Sequence, residues 1–417
     1  MKLIFKKVVG TGQSDELRLF FSDDSACGLF DEIQPDQVAK ELAEQAKAIP
    51  VIETTGAWVG DQLFLADLHG TLLCQLGATL GAGAFGSVLQ GRMADGQAVA
   101  VKQIPLFDAE TGLPLTPEKV QNILLEATVM EALGDHPHTL RTMGSVIAND
   151  KNGKPYLFLF MTLAEHGSLE KIQDFFSMCH SETGGVRPLA HIWDSFERAL
   201  ADIGVEYEDL IIYMLKQALE GAKHLHDNKY CHRDLKRGNL VLDKKGRLKL
   251  ADYGLCRQYL NEVAMKSPEG TPTCIPWEVQ NGMSKDPELR DIWALGNCFT
   301  KLRHGYFASE VTAGLIGQGP TLRPVEEGNV FSAIGRARQL DAARRTAYEA
   351  GVVNLSENPL DQVLFLMTNH SEQRAHLVDL FACEAMAIPG IGTSQFIDAL
   401  EILEAHLQAA KADRPGQ

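Results

Sequence analysis

The chain has 417 residues, 45% of them hydrophobic and 23% charged, with a formal net charge of −16 at pH 7. This is ordinary globular composition, long enough for two or three domains with a real core, and the acidic balance argues against nucleic acid or an anionic membrane as partner. Eight scattered cysteines without a C-x-x-C pair lack the clustering that a zinc site or disulfide framework needs, so they read as reduced thiols of a cytoplasmic protein. No stretch approaches eighteen apolar residues, and the apolar runs in the basic start "MKLIFKKVVGTGQ" are too short for a signal-peptide core, so no membrane span is expected.

Residues 1–75 read as a small α/β unit. Strand-like runs ("KLIFKKVV", "LRLFF") precede "PDQVAKELAEQAKAI", where Pro35 suits a first turn and Val38, Leu42 and Ala46 recur at helical spacing. "QLFLADLHGTLLCQL" then reads as a hairpin turning near His69-Gly70. From 76 to about 165 the pattern is strand-rich with one helix, Pro117 to Leu133, and beyond 166 it is mainly helical. The tail "TSQFIDALEILEAHLQAAKA" opens on a Thr/Ser cap and carries Phe396, Leu400, Leu403 and Leu407 on one face, the stripe of a helix packed on the preceding domain.

"LGAGAFGSVLQG" holds Gly81, Gly83 and Gly86, a G-x-G-x-x-G spacing shared by dinucleotide-binding turns and by phosphate-covering loops. A dinucleotide turn would open a helix and present an acidic residue about 20 positions later. Here the third glycine leads into "SVLQGRMADGQAVAVKQI", alternating and β-branched, broken by a turn at Asp95-Gly96 and ending on Lys102. The dinucleotide reading fails on these residues.

Far downstream stand "CHRDLKRGNLVL", with His232, Arg233, Asp234, Lys236 and Asn239, and "LKLADYGLCR", with Asp252, Tyr253 and Gly254. "GTPTCIPWE" (270–278) and "DIWALG" (291–296) follow in order. With the glycine loop, these motifs are similar to those of the eukaryotic-type protein kinase superfamily, serine/threonine branch, over roughly residues 76–380.

The resemblance implies an α+β, bilobal fold: a five-stranded N-lobe with one helix (76–164) and a mainly helical C-lobe (165–388). The small α/β extension (1–75) precedes it and a helical tail (389–417) follows. It implies ATP and Mg²⁺ as cofactors and protein substrates with serine or threonine acceptors. The loop Leu80, Gly81, Ala82, Gly83, Ala84, Phe85, Gly86 is expected to cover the triphosphate, with Phe85 shielding the γ-phosphate. Lys102 is expected on the α- and β-phosphates, paired with Glu126, or with Glu131 as second choice. Val88, Ala100 and Val241 would sandwich adenine, Met161 would stand at the gate, and the backbone of Thr162 and Ala164 would bond the base. Asp234 is expected to orient the acceptor hydroxyl, Lys236 to steady the γ-phosphate, and Asn239 with Asp252 to hold Mg²⁺.

The chain departs from the family pattern at three places. Tyr253 replaces Phe, so its hydroxyl needs a partner if buried. Glu278 stands in "PWE" rather than A-P-E, with Arg374 the candidate partner, and Cys274 replaces Tyr in the substrate-docking floor. Arg233 and the hydroxyls of Ser267, Thr271 and Thr273 suggest activation-loop phosphorylation, with Ser267 first. The alternatives to an active protein kinase are a pseudokinase scaffold working through residues 1–75 and the tail, and a small-molecule kinase; a bacterial kinase delivered into host cytosol is a further context open to the active enzyme. The intact Lys102, Asp234 and Asp252 argue against the pseudokinase, and "HRDLKRGN" with "GTPTCIPWE" against the small-molecule kinase.

Overall fold

A computed structural model describes residues 54–59, 62–67, 72–83, 86–93, 95–108, 110–149, 154–180, 189–261, 265, 267–280, 282, 286–305, 358–369, 374–387 and 390–413. The strand-like runs and helix expected before residue 50, and Ala84 and Phe85 of the glycine loop, lie outside these. The described residues belong to two compact units, one drawn from 1–134 and 140–163, the other from 135–139 and 164–417.

The first unit is an antiparallel sheet with one helix. Its strands are β1 (Thr54–Val59), β2 (Gln62–Asp67), β3 (Leu72–Gly83), β4 (Gly86–Met93), β5 (Ala98–Pro105), β6 (Thr142–Asn149) and β7 (Pro155–Thr162). They lie in the order β1-β2-β3-β4-β5-β7-β6. The five strands expected from the sequence are therefore present as β3-β4-β5-β7-β6. The β2–β3 hairpin read from the sequence is also there, and β1 and β2 continue the same sheet beyond β3. β1 in turn approaches β6, so the sheet curls towards closure, which leaves less open edge.

Period-two alternation gives the sheet two faces. Val99, Val101, Phe158 and Phe160 pack with Cys74 and Leu76 in one apolar cluster. Gly91 sits among them because a Cβ there would come within 2.8 Å of Cys74 Sγ, Val99 and Val101. On the opposite face the cross-strand pairs Val88 with Lys102 and Ala100 with Met161 align. Helix α1 (Pro117–Leu133) starts on Thr116, whose hydroxyl accepts from Lys119 N–H, with proline in the first turn.

The second unit is mainly helical. It contains β8 (Gly167–Ser168), α2 (Glu170–His180), α3 (Ala190–Asp202), α4 (Tyr207–Asp227), β9 (Tyr230–Cys231), β10 (Leu240–Leu242), β11 (Leu248–Leu250) and β12 (Arg257–Gln258). After these come α5 (Trp277–Gln280), α6 (Pro287–His304), α7 (Pro359–Met367), α8 (Leu377–Phe381), α9 (Glu384–Ala387) and α10 (Thr393–Ala412). The axis is α4, which buries Leu210, Ile211, Met214, Leu215, Ala218, Leu219, Ala222 and Leu225 along its length. Short pairings β8-β10-β11 and β9-β12 carry the loops of chemical interest. This is the bilobal fold class expected from the sequence.

The tail helix α10 packs on α2 and α3. Phe396 stacks on Tyr213, and Glu404 meets His166 and Lys171. Its N-cap is Gly392 rather than the expected Thr/Ser pair. The Thr393 hydroxyl instead lies 3.2 Å from that of Tyr213, so a tertiary contact takes the group that would have capped locally.

Candidate active site

In the first unit the central strand β5 and helix α1 present one buried ion pair. Lys102 Nζ donates to both carboxylate oxygens of Glu126, at 2.8 and 2.7 Å, with the two residues 7% and 3% exposed. A bidentate pair inside a protein survives desolvation only when held this well. The carboxylate that the helix aims at the strand is thus Glu126, the first of the two candidates that the resemblance implied. Glu131, the second choice, is not paired with Lys102; burial raises its carboxyl pKa.

Val88, Ala100 and Met161 share the Lys102 face, Ala100 and Met161 being buried. In the glycine loop, a Cβ added at Gly81 or Gly83 would meet none of the described residues within 4 Å. Gly86 has φ +139, and a Cβ there would fall 2.2 Å from the Gln103 carbonyl. Its glycine is thus demanded by the β4 backbone itself, and the other two leave room for a ligand to approach the chain. Leu80 and Ala82 lie exposed on β3. The Thr162 N–H donates to the Arg141 carbonyl, so it is not the group that a base would engage there.

In the second unit the Ala164 carbonyl accepts from Gly167 N–H, and Val241 is half-buried in β10, paired with Ser168 and Lys249. The loop after β9 places Asp234 at the centre of four donors. Oδ1 accepts from Thr271 N–H (2.8 Å) and the Thr271 hydroxyl (2.7 Å). Oδ2 accepts from Lys236 Nζ (2.9 Å) and, at 3.3 Å, from Asn239 Nδ2, which also donates to the Asp234 carbonyl at 2.8 Å. Burial works against the Lys236 charge. The hydrogen bond and charge of Asp234, with Asp252 behind it, outweigh burial and hold the ammonium above its usual range.

The backbone here is held from behind. Asp291, on α6, accepts from His232 N–H (2.7 Å) and Arg233 N–H (3.0 Å). It is fully buried, yet its pKa is pulled to about 2: burial opposes ionisation, but the nearby His226 and the His232 contacts outweigh it. His232 Nε2 donates to the Ala251 carbonyl at 3.0 Å, and Ala251 N–H donates to Asn239 O. These bonds tie the loop to the segment carrying Asp252. Arg233 and Asp252 both have left-handed backbone, φ 69 and 63, a cost of about 1–3 kcal/mol each that persists only where surroundings enforce it.

The departures from the family pattern are accommodated. Tyr253 is fully buried and its hydroxyl donates to the Leu250 carbonyl at 2.7 Å. Glu278 receives the Arg374 guanidinium in a buried pair. Cys274 lies buried in the 3-10 turn Pro272–Cys274, its thiol pulled down chiefly by a hydrogen bond with Cys298.

Asn239 and Asp252 supply hard oxygen donors. Because Asn239 turns its NH₂ towards Asp234, its amide oxygen faces away from that carboxylate. Such a set suits Mg²⁺, which takes one or two protein oxygens and completes its shell with phosphate and water. Asp291 belongs to the "DIWALG" motif, but nothing in the sequence marks it as the acceptor for the His232 and Arg233 N–H groups.

Residues 74–314 match the protein kinase domain family, more than half of the chain, and the chain belongs to that family. It is 31% identical over 225 residues to mitogen-activated protein kinase kinase kinase 1 of Arabidopsis thaliana, covering 53% of this chain and 31% of that protein. It is 31% identical over 232 residues to cytokinesis protein sepH of Emericella nidulans (55% and 14%) and 28% identical over 234 residues to human myosin-IIIa (54% and 12%). The chain thus spans about a third or less of the length of these relatives. Among the described residues no helix is long and apolar enough to cross a membrane.

Proposed function

We propose that the chain is an ATP- and Mg²⁺-dependent serine/threonine protein kinase. The observation that carries this reading is the Asp234 carboxylate, aimed by Thr271, Lys236 and Asn239. Phosphoryl transfer asks the protein mainly for positioning and charge neutralisation. Asp234 accepts a hydrogen bond from the acceptor hydroxyl and takes its proton as that oxygen bonds to the γ-phosphorus and the bond from the phosphorus to the β,γ-bridging oxygen breaks, with ADP as the leaving group. Its four acceptor sites are already used, so one contact must give way. Lys236 is the group placed to leave, because its flexible stem is a third exposed; it swings from Asp234 to the γ-phosphate. Lys102, fixed by Glu126, holds the α- and β-phosphates, and Gly81 and Gly83 let backbone come close to them. Asn239 and Asp252 would hold Mg²⁺, which when bound offsets the charge growing between the β- and γ-phosphates.

Adenine would bond the Thr162 carbonyl and the Ala164 backbone against Val88, Ala100 and Val241, with Met161 beside it. We assign residues 76–388 to the kinase domain, 1–75 to an extension open to a regulatory partner, and 389–417 to a C-terminal helix. A cytoplasmic setting agrees with this reading. The test is transfer of labelled γ-phosphate from ATP to a mixed-protein substrate. Wild type should label serine and threonine, and Asp234→Asn should lose that labelling with its fold intact; equal labelling by both proteins would refute the assignment.

A further inference from the structure

Residues 267–271 are stitched onto the catalytic loop by contacts that the phosphotransfer reading does not use. Arg290 Nη1 donates to the Ser267 carbonyl at 3.0 Å, and Nη2 donates to the carbonyls of Arg233 (3.5 Å) and Glu269. The Arg233 guanidinium is fully buried. Its Nη1 donates to the Leu255 carbonyl at 3.1 Å and its Nη2 to Glu269 Oε2 at 2.8 Å, while Nε meets no acceptor among the described residues. Arg257 stands nearby. Burial and the Arg233 charge both lower its pKa, and Glu269 opposes them.

Three guanidinium groups therefore converge, and among the described residues Glu269 is the carboxylate that meets Arg233. A buried guanidinium without a counter-charge is strongly unfavourable, so the loop that brings Glu269 is drawn onto it. The next residue, Gly270, has φ +125, and a Cβ there would fall 2.6 Å from the Arg233 carbonyl, so the chain runs in contact with the catalytic loop. One residue further, Thr271 makes its two bonds to Asp234.

From this juxtaposition, and resting on the kinase reading, we propose that Glu269 is a positioning residue. Its carboxylate is a permanent counter-charge for Arg233 that orders residues 267–271, and so aims Asp234, without any added phosphate. Ser267 faces Arg290 with its carbonyl, a contact that needs no modification of its hydroxyl.

The test uses the full chain, dephosphorylated with a broad protein phosphatase and checked by intact mass. The dephosphorylated wild type and Ser267→Ala keep kcat within about twofold of untreated protein, whereas Glu269→Gln lowers kcat by about tenfold or more, with KM for ATP moved less than about twofold. Glu269→Asp recovers part of the loss, and adding Glu269→Gln to Arg233→Gln costs little more, since the pair acts as one unit. Amide hydrogen exchange over 267–271 rises by about tenfold in Glu269→Gln, a readout that needs no catalysis. An unchanged kcat and unchanged exchange in Glu269→Gln would overturn the proposal. So would a phosphatase-treated wild type that goes silent and recovers on preincubation with ATP. A wild type no more active than Asp234→Asn, with exchange still raised in Glu269→Gln, keeps the ordering role and removes the kinase reading instead.

Discussion

The two units solve the same problem, holding a charged group where water cannot orient it, by opposite means. In the first, Lys102 rides on a central strand and meets Glu126 on a helix, so two rigid elements and one bidentate pair suffice. In the second, Asp234 lies on a loop, and its position is enforced by bonds from Thr271, Lys236 and Asn239 and by Asp291 gripping the backbone behind it. Regular structure positions a side chain through its own repeat, whereas a loop must be positioned by partners distant in sequence. The first arrangement is therefore brittle at one pair and the second distributed over many bonds.

Substitutions can break or sharpen this contrast. The largest effect on turnover is expected for Asp234→Asn, a fall of about 10²–10⁴-fold for loss of the proton acceptor. Its stability should move by no more than about 1–2 kcal/mol, since the amide keeps an acceptor oxygen; assay and denaturant melt together check both parts. Lys102→Met should abolish most transfer and also destabilise by about 3–5 kcal/mol, because Glu126 is left buried and unpaired. A melt unchanged from wild type would show that the first unit is not brittle at that pair.

Asp291→Asn tests the distributed side. With a folded pKa of about 2 against an ordinary 3.8, the Asp291 carboxylate adds stability that is complete above about pH 4 and lost as pH falls towards 2. The wild-type advantage over Asp291→Asn should be about 2 kcal/mol at pH 7 and shrink towards zero at pH 2, read by urea melts across that range. The smallest effect is expected for Tyr253→Phe, about 1 kcal/mol of stability, since the Leu250 carbonyl loses its buried donor. A loss several times larger would place this hydroxyl within the network rather than at its margin.

The sequence was most informative where local chemistry is periodic or tightly spaced. The Asp95-Gly96 turn between β4 and β5 and the bounds of α1 follow from alternation, turn residues and helical repeat, whereas the count of five strands and the choice of Glu126 over Glu131 come from the resemblance to the kinase pattern. Buried partners of single polar atoms were partly legible: Tyr253 announced its need for an acceptor, but nothing in the text of the chain named Leu250. Thr393, which reads as a cap, spends its hydroxyl on Tyr213, because tertiary contact outbids a local bond of similar strength.

By itself, then, the sequence determined the kind of elements, the family pattern and the residues proposed for phosphate transfer, since these depend on identity and spacing along the chain. Only the tertiary structure decided that β1 and β2 continue the main sheet, that Asp291 braces the loop after β9, and that Glu269 meets Arg233, 36 positions away along the chain. Those outcomes depend on which buried charges and unpaired backbone groups come within bonding distance, and a loop glutamate carries no mark of its partner until the chain has folded around it.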